Sequence, residues 1–208
     1  MMTNAQARQA PRETPGRRMA TRRMGSQDSA TSQAILDGAE RVLESRGYGA
    51  ITSRSVAEEA GVKHQLVYYY FKDIDDLLLA AFKRRMDRGI ERLREDAQSD
   101  RPVRAIFEDF YNSIDAWLDF EYMALANQHE GVRQEIVRFQ TEARAIQIGI
   151  IERAYAERNF DPAIIPPSAL AFLITHVTMA LVREEGTGFT VGHDEIRETV
   201  DRFFKMLE

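Results

Sequence analysis

Two groups of hydrogen-bonding side chains stand at the starts of two short predicted helices. Arg54 lies near the start of the first, and Lys63, His64 and Gln65 open the second. A guanidinium group can hold guanine O6 and N7 with two hydrogen bonds, and a glutamine side chain can pair with adenine N6 and N7. The chemistry that these residue types indicate is the reading of base edges in DNA.

The segment that positions these side chains is TSRSVAEEAGVKHQLVYYYFK, residues Thr52–Lys72. The Thr52 oxygen can cap a helix whose small inward side chains are valine and alanine. Gly61 ends that helix because glycine enters the left-handed conformation freely. A second helix is predicted from Lys63 to about Tyr69. This pattern is typical of a helix-turn-helix, although an ordinary helical hairpin has the same features.

Catalysis and metal binding have little support in the sequence. The four histidines, His64, His129, His176 and His193, are scattered and form no HExxH or i,i+4 pair. Cysteine is absent, which excludes disulfides and thiolate chemistry and is compatible with a reducing cytoplasm. The sequence contains neither a phosphate-binding glycine loop nor a GxSxG motif. We therefore expect no enzyme activity, no metal site and no cofactor.

Residues Ile35–Phe82 resemble the N-terminal domain of the tetracycline repressor (TetR) family. The features that carry the resemblance are an amphipathic first helix, the RGY turn at residues 46–48, Thr52, Val56-Ala57, Ala60-Gly61-Val62, Tyr68-Tyr69 and Phe71-Lys72. The resemblance implies a homodimeric transcriptional regulator, foremost a repressor, that binds a palindromic operator. It also implies release from DNA when a small molecule occupies the second domain.

The resemblance also assigns roles within the helix-turn-helix. It implies that Arg54, His64 and Gln65 reach base edges, that Tyr68 and Tyr70 contact phosphates through their hydroxyls, and that Tyr69 lies along the DNA backbone. Plain packing is the alternative for each tyrosine. Lys63 stands where the family usually has serine or threonine, so we expect it to cap nothing and to add a phosphate contact. The predicted DNA-binding residues are Arg54, Lys63, His64, Gln65, Tyr68, Tyr69, Tyr70 and Lys72.

Two further features of this segment bear on the prediction. Val67 and Phe71 are expected in the core. Ile74 stands where the family often has a lysine at the start of the fourth helix, so that contact is expected to be lost.

The charge of the chain is divided unevenly along its length. The net charge is −5, but residues 1–73 carry +3 and residues 74–208 carry −8. Positive charge therefore accompanies the predicted DNA-binding part. The predicted domains are a disordered basic arm (1–30), a DNA-binding domain (31–82, its last helix continuing to about 99) and a helical ligand-binding and dimerisation domain (83–208). The six arginines of the arm either remain solvated or reach DNA.

Helical periodicity continues along the rest of the chain, so the predicted fold class is all-α. The first helix is predicted from about Ser32 to Arg46, with Thr31 or Ser32 as its cap. The later helices are predicted over Ile74–Ser99, Val103–Leu118, Tyr122–Gln128, Val132–Arg158, Ser168–Glu185 and Asp194–Met206.

Aromatic and apolar side chains of the second domain are candidates for a ligand cavity. The resemblance implies a cavity between these helices, and binding pockets are mostly apolar with a few polar groups. The candidates are Phe107, Tyr111, Trp117, Tyr122, Met123, Phe139, Gln140, Ala143 and His176. The alternative is that this stripe, His176 included, belongs to the core. A cavity with this lining favours a small, largely apolar effector.

The last two predicted helices carry more apolar side chains than the edge of one small domain needs to bury. The resemblance makes them half of a four-helix dimer interface, which suits a palindromic operator. The candidates are Leu173, Val177, Leu181, Ile196, Val200 and Phe203. The alternative is that they only complete the core of the monomer.

Two other functions fit the same composition. One is a helical small-molecule-binding protein without DNA activity, and the other is a constitutive or activating DNA binder without a ligand. Because no run of about 18 apolar residues exists and the N-terminus lacks the apolar core of a signal peptide, we expect a cytoplasmic protein with no membrane partner.

Overall fold

The computed structural model describes residues 29–113 and 116–207, and within these ranges the chain forms nine α-helices, one 3₁₀ turn and no strand. The predicted all-α class is therefore confirmed. Residues 1–28, most of the predicted basic arm, lie outside the described residues. The helices are α1 (Ala30–Arg46), α2 (Ser53–Glu59), α3 (His64–Tyr70), α4 (Ile74–Asp96), α5 (Pro102–Ser113), α6 (Ala116–Gln128), α7 (Glu130–Arg158), α8 (Pro167–Thr187) and α9 (His193–Phe204), with the 3₁₀ turn at Tyr48–Ala50.

The start of α1 differs from the prediction. Neither Thr31 nor Ser32 caps the helix; Ser29 does, because its Oγ accepts a hydrogen bond from the amide of Ser32 at 3.2 Å. Ser32 is itself completely buried. The apolar stripe that located the helix begins only at Ile35, so periodicity alone placed the start about one half-turn too late.

The first four helices share one apolar core. Its fully buried members include Ile35 and Val42 from α1, Val56 from α2, Val67 from α3 and Phe82 from α4. Asp73 caps α4, since its Oδ1 accepts from the amide of Asp76 at 2.9 Å. The predicted end of α4 near Ser99 is three residues too late, because the chain turns after Asp96.

An ionic contact also fixes α4 against α1. The guanidinium group of Arg84 lies 2.8 Å from Asp37 and 3.0 Å from Glu40, and Arg88 lies 2.6 Å from the other Glu40 oxygen. Arg84 and Glu40 are largely buried, so these pairs are less screened by salt than surface pairs are. Ion pairs as well as apolar packing therefore join α4 to α1.

The predicted boundary between Leu118 and Tyr122 is wrong, because both residues lie in α6, which is described from Ala116 onward. α5 is described as far as Ser113, and residues 114 and 115 lie outside the described residues. The inward direction also changes between the two helices. Ile106 of α5 packs in a second core with α7, α8 and α9, whereas Leu118 and Tyr122 of α6 join the core of the first four helices.

The second core lies between α4, α5, α7, α8 and α9. Its fully buried side chains include Ile106, Ile150 and Ile151, with Ala171 and Phe204 from the last two helices. Among the described residues, no helix is both long enough and apolar enough to cross a membrane.

Candidate nucleic-acid interface

The start of α2 is held by a reciprocal pair of hydrogen bonds. Thr52 Oγ1 accepts from the amide of Ser55 at 3.0 Å, and Ser55 Oγ accepts from the amide of Thr52 at 2.9 Å. This capping box confirms the predicted cap and adds Ser55, which sequence reasoning missed. Arg54 lies between the two capping residues and is exposed, while Val56 and Ala57 face the core.

The turn after α2 places the next helix. Gly61 adopts φ +66°, the left-handed conformation that was predicted from its residue type. The amide of Val62 donates to the carbonyl of Ala57 at 2.9 Å, which closes the turn. Lys63 precedes α3, and no side chain of the described residues caps this helix, as predicted.

The start of α3 presents its polar side chains to solvent. Lys63, His64 and Gln65 are exposed, while Val67, one turn further along the helix, is buried in the core. Phe71 is also buried, so both residues predicted as core have that position. Three polar side chains thus lie at one helix end, where a helix-turn-helix meets base edges.

The three tyrosines of α3 have different environments. Tyr68 and Tyr69 are 38% and 43% exposed, whereas Tyr70 is half-buried and packs on the first core. The rings of Tyr69 and Tyr70 meet edge to face, with centroids 5.0 Å apart. Tyr68 and Tyr69 are therefore more accessible for DNA than Tyr70, which combines a packing role with any contact through its hydroxyl.

Lys72 follows α3 in an acidic neighbourhood. Its side chain is exposed and its Nζ lies 3.9 Å from Asp73, while its amide donates to Asp76 Oδ2 at 2.9 Å. Such an exposed ion pair contributes little to stability, so the ammonium group can exchange it for a DNA phosphate. Asp76 therefore holds the backbone at this position.

The eight predicted ligand residues whose side chains the structure describes do not converge on one cavity. Phe107 and Tyr111 are half-buried and stack, and Ala143 is buried in the second core. Tyr122 instead packs on Phe82 in the first core, with ring centroids 4.6 Å apart. Phe139 is half-buried against α4, and the exposed candidates are Met123, Gln140 and His176.

Trp117 is separated from Phe107 and Tyr111 of α5 by residues 114 and 115, which lie outside the described residues. Its backbone belongs to α6, and its side chain lies outside what the structure describes. Two cavities in the described part of the chain are lined by other residues. One, of about 580 Å³, lies beside Tyr155, Phe160 and Pro167; the other, of about 450 Å³, lies between α1 and α4.

Tyr111 belongs to a polar cluster that joins α5, α8 and α9. Its hydroxyl donates to Glu185 and accepts from Arg197 at 2.7 Å. His193 is 1% exposed and lies between Glu184, at 2.8 Å, and Glu185, at 3.2 Å. The hydrogen bonds to these two glutamates raise the pKa of His193 above its usual value, although desolvation opposes them. Burial raises the pKa of Tyr111, as does its hydrogen bond to Glu185.

Tyr122 is the most deeply placed polar candidate of α6. Burial raises the pKa of its hydroxyl. Among the described residues this hydroxyl has no hydrogen-bond partner. The side chain therefore acts as a large core residue at the joint between α6 and α4, and it does not line a cavity for a ligand.

The predicted dimerisation residues separate into three environments. Leu173 and Ile196 are 47% and 39% exposed, and Val177 is half-buried. Val200 and Phe203 are half-buried against the second core, and Leu181 is only 2% exposed, so its side chain belongs to the interior of the monomer and not to a surface. The apolar pattern of the sequence cannot distinguish these environments, because neighbouring apolar residues of α8 face different parts of the molecule.

An exposed apolar side chain that the prediction omitted extends the surface of α8. Phe172 is 52% exposed, stacks on His176 with ring centroids 3.8 Å apart, and lies under the guanidinium group of Arg144. Its sequence signal was the spacing of four residues to His176, next to Leu173. Phe172, Leu173 and His176 together form an accessible face on α8.

Comparison with known proteins agrees with this geometry. Residues 35–81 match the family described as bacterial regulatory proteins, tetR family. The chain is 39% identical over 62 residues to the fatty acid metabolism regulator protein of Bacillus subtilis, covering 30% of this chain and 32% of that protein. It is 33% identical over 118 residues to the HTH-type transcriptional regulator EthR of Mycolicibacterium smegmatis, covering 54% and 51%. The matches thus span about a third and about half of these relatives.

Solved structures extend the similarity to the whole fold. A TetR/AcrR family member superposes with a TM-score of 0.69 at 17% identity, covering 86% of this chain and 99% of that one. The fatty acid degradation regulator FadR of Bacillus halodurans gives a TM-score of 0.62 at 16% identity, covering 86% and 95%. At these identities the likeness shows the fold alone. Through the match over residues 35–81, the chain carries the N-terminal domain described as bacterial regulatory proteins, tetR family.

Proposed function

We propose that the chain is a ligand-responsive transcriptional regulator, foremost a repressor, that binds a palindromic operator as a homodimer. The observation that carries the proposal is the helix-turn-helix with Arg54, Lys63, His64 and Gln65 exposed at the starts of α2 and α3. These are residue types that hydrogen-bond to base edges and phosphates. The matched relatives are transcriptional regulators, which favours this function over an enzyme.

A homodimer is supported by the apolar surface of the last helices. Phe172, Leu173 and Ile196 are each more than a third exposed, and exposed large apolar side chains of this kind are candidates for an interaction site. A twofold dimer would place two helix-turn-helix units on two half-sites about one DNA turn apart. In the proposed arrangement α8 and α9 contribute the interface, with Val177 at its edge.

A small, largely apolar effector is supported by the relatives rather than by a formed cavity. One relative is named as a fatty acid metabolism regulator, and the structure of FadR from Bacillus subtilis, which superposes with a TM-score of 0.50 over 74% of this chain at 19% identity, contains stearoyl-CoA. A fatty acyl thioester is therefore the first class of compound to test. Release would follow if the effector bound the DNA-incompetent arrangement more tightly than the DNA-competent one.

The test is fluorescence anisotropy with a labelled random-sequence duplex over a range of salt concentrations. Neutralisation of phosphates predicts an affinity that falls linearly on logarithmic axes as salt rises, with a slope of about −0.9 per phosphate contact. Lys72→Ala, which removes a predicted phosphate contact, should weaken this binding, whereas Arg153→Ala, which changes an exposed arginine on α7, should not. A wild-type chain with no salt-dependent retention on DNA would instead be a helical ligand-binding protein. Binding that no compound alters would favour a constitutive or activating regulator.

A further inference from the structure

Tyr48 is held through its backbone by α6 and through its side chain by the residue that precedes α7. Its amide donates to Glu121 Oε2 on α6 at 3.0 Å. Its hydroxyl lies 3.4 Å from Nε2 of His129, the residue that precedes α7, and the two rings meet edge to face with centroids 6.5 Å apart. The other ring nitrogen of His129 lies 3.7 Å from Asp75 in the first turn of α4.

Gly47 allows the close approach of the Glu121 carboxylate to the backbone of the turn. Its φ of +73° is a conformation that side chains disfavour, and a Cβ atom here would lie 3.1 Å from Glu121 Oε1. Glycine is therefore required both by the turn and by the approach of the carboxylate. The glycine and tyrosine of the RGY turn thus meet the second domain directly, a contact that no local sequence pattern could indicate.

A short run of contacts leads from Tyr48 to the DNA-reading arginine. The 3₁₀ turn Tyr48–Ala50 ends at a carbonyl that accepts from Ser55 Oγ at 2.7 Å. Ser55 is also the partner of Thr52 in the capping box that encloses Arg54. The position of the turn and the position of the α2 start therefore depend on each other.

We infer that Glu121 and His129 are positioning residues for DNA reading, which act by fixing Tyr48 and, through the 3₁₀ turn, the start of α2 with Arg54. This inference rests on the proposed function. α6 cannot shift independently of the turn, because Leu118 and Tyr122 of the same helix are buried in the core that α1 to α4 share. A change at the α6–α7 corner is therefore transmitted to the reading helix through direct contacts.

The first arm of the test is hydrogen exchange at the turn, which does not require DNA. In Glu121→Ala the amide of Tyr48 loses a charged acceptor, and its exchange should be about tenfold faster. Glu121→Gln keeps a carbonyl oxygen within reach and should exchange nearly as slowly as wild type. Glu152→Ala, which removes an exposed glutamate on α7, is the matched control and should leave the turn unchanged. Equal exchange in all four proteins would overturn the inference.

The second arm measures how well the protein discriminates between a sequence selected from a random duplex library and random duplex DNA. Glu121→Ala should lose discrimination by about fivefold to tenfold, because the misplaced Arg54 forfeits its base contact. Its affinity for random duplex should stay within about twofold of wild type, since phosphate contacts are retained. Glu121→Gln should restore discrimination.

Tyr48→Phe is the second variant if Glu121→Ala does not fold. It keeps the ring, removes only the hydroxyl contact to His129, and should lose discrimination by about twofold to fivefold. Unaltered discrimination in a folded variant with a loosened turn would overturn the inference while leaving the proposed function intact. A wild-type chain that selects no sequence would refute the proposed function itself, and with it any role of Glu121 in DNA reading.

Discussion

Replacing Gly38 by alanine should separate α1 from α2. A Cβ atom at this position would lie 2.8 Å from the carbonyl oxygen of Val56 and 3.0 Å from both the nitrogen and the Cβ of Ala60. None of these atoms can rotate away, so one helix must move. Overpacking of this kind costs about 1–3 kcal/mol, against which alanine in place of a helical glycine gains about 1 kcal/mol. The expected net loss is about 0–2 kcal/mol.

Gly149→Ala provides a control that isolates the packing contribution. Gly149 lies inside α7, and a Cβ there would meet no atom of the described residues within 4 Å. Because the gain in helix propensity is common to both variants, urea unfolding should find Gly38→Ala less stable than Gly149→Ala by about 1–3 kcal/mol at unchanged m-value. DNA affinity should fall only in Gly38→Ala, since only there is α2 displaced. Equal stability of the two variants would refute the close approach of α1 and α2.

Three further predictions concern DNA binding, assembly and pH. Arg54→Ala should cost roughly 1–3 kcal/mol in operator binding and relax specificity at one base pair. Lys72→Ala should instead weaken the binding of all DNA sequences evenly and reduce the slope of affinity against salt concentration by about one. Unchanged sequence preference in both would make Arg54 a phosphate contact. Leu173→Asp with Ile196→Asp should yield folded monomers, because both side chains are exposed in the monomer and the charges would be buried unpaired in a dimer; light scattering that still reports a dimer would place the interface elsewhere. Since its two glutamate partners raise the pKa of His193, the stability it contributes should be complete below the ordinary histidine pKa of about 6.5 and be lost as pH rises through the folded-state pKa. Urea unfolding across this pH range should show that the free energy of unfolding depends less on pH in His193→Gln than in wild type. An identical pH dependence in the two proteins would exclude the effect.

The DNA-binding helices could be predicted because their signals are local. Thr52, Gly61 and the small apolar face of α2 act within a few residues of one another, and each has the predicted conformation or contact. The burial of Val67 and Phe71 follows from the same short-range pattern. The cap of α1 was misplaced because Ser29 precedes the apolar stripe and gives no periodic signal.

The second domain could be predicted only as helical. An apolar stripe shows that a helix packs, but it does not show against which neighbour. For this reason Phe107 and Tyr122, which were both predicted to line one cavity, pack in two different cores. Leu181 and Leu173 are both apolar residues of α8, yet one is interior and the other exposed. Long-range packing decides these cases, and it also brings Glu121 to Tyr48, a contact between residues far apart in sequence.

The central claim is that this chain reads a specific DNA sequence through α2 and α3. The most direct measurement is a nuclease footprint of the purified protein on the DNA that flanks its own coding region, at moderate salt. The account predicts one protected site with two half-sites related by a dyad, retained by the Arg153→Ala control and lost or shifted to higher protein concentration in Arg54→Ala. Protection that follows no sequence, or that Arg54→Ala leaves unchanged, would contradict it.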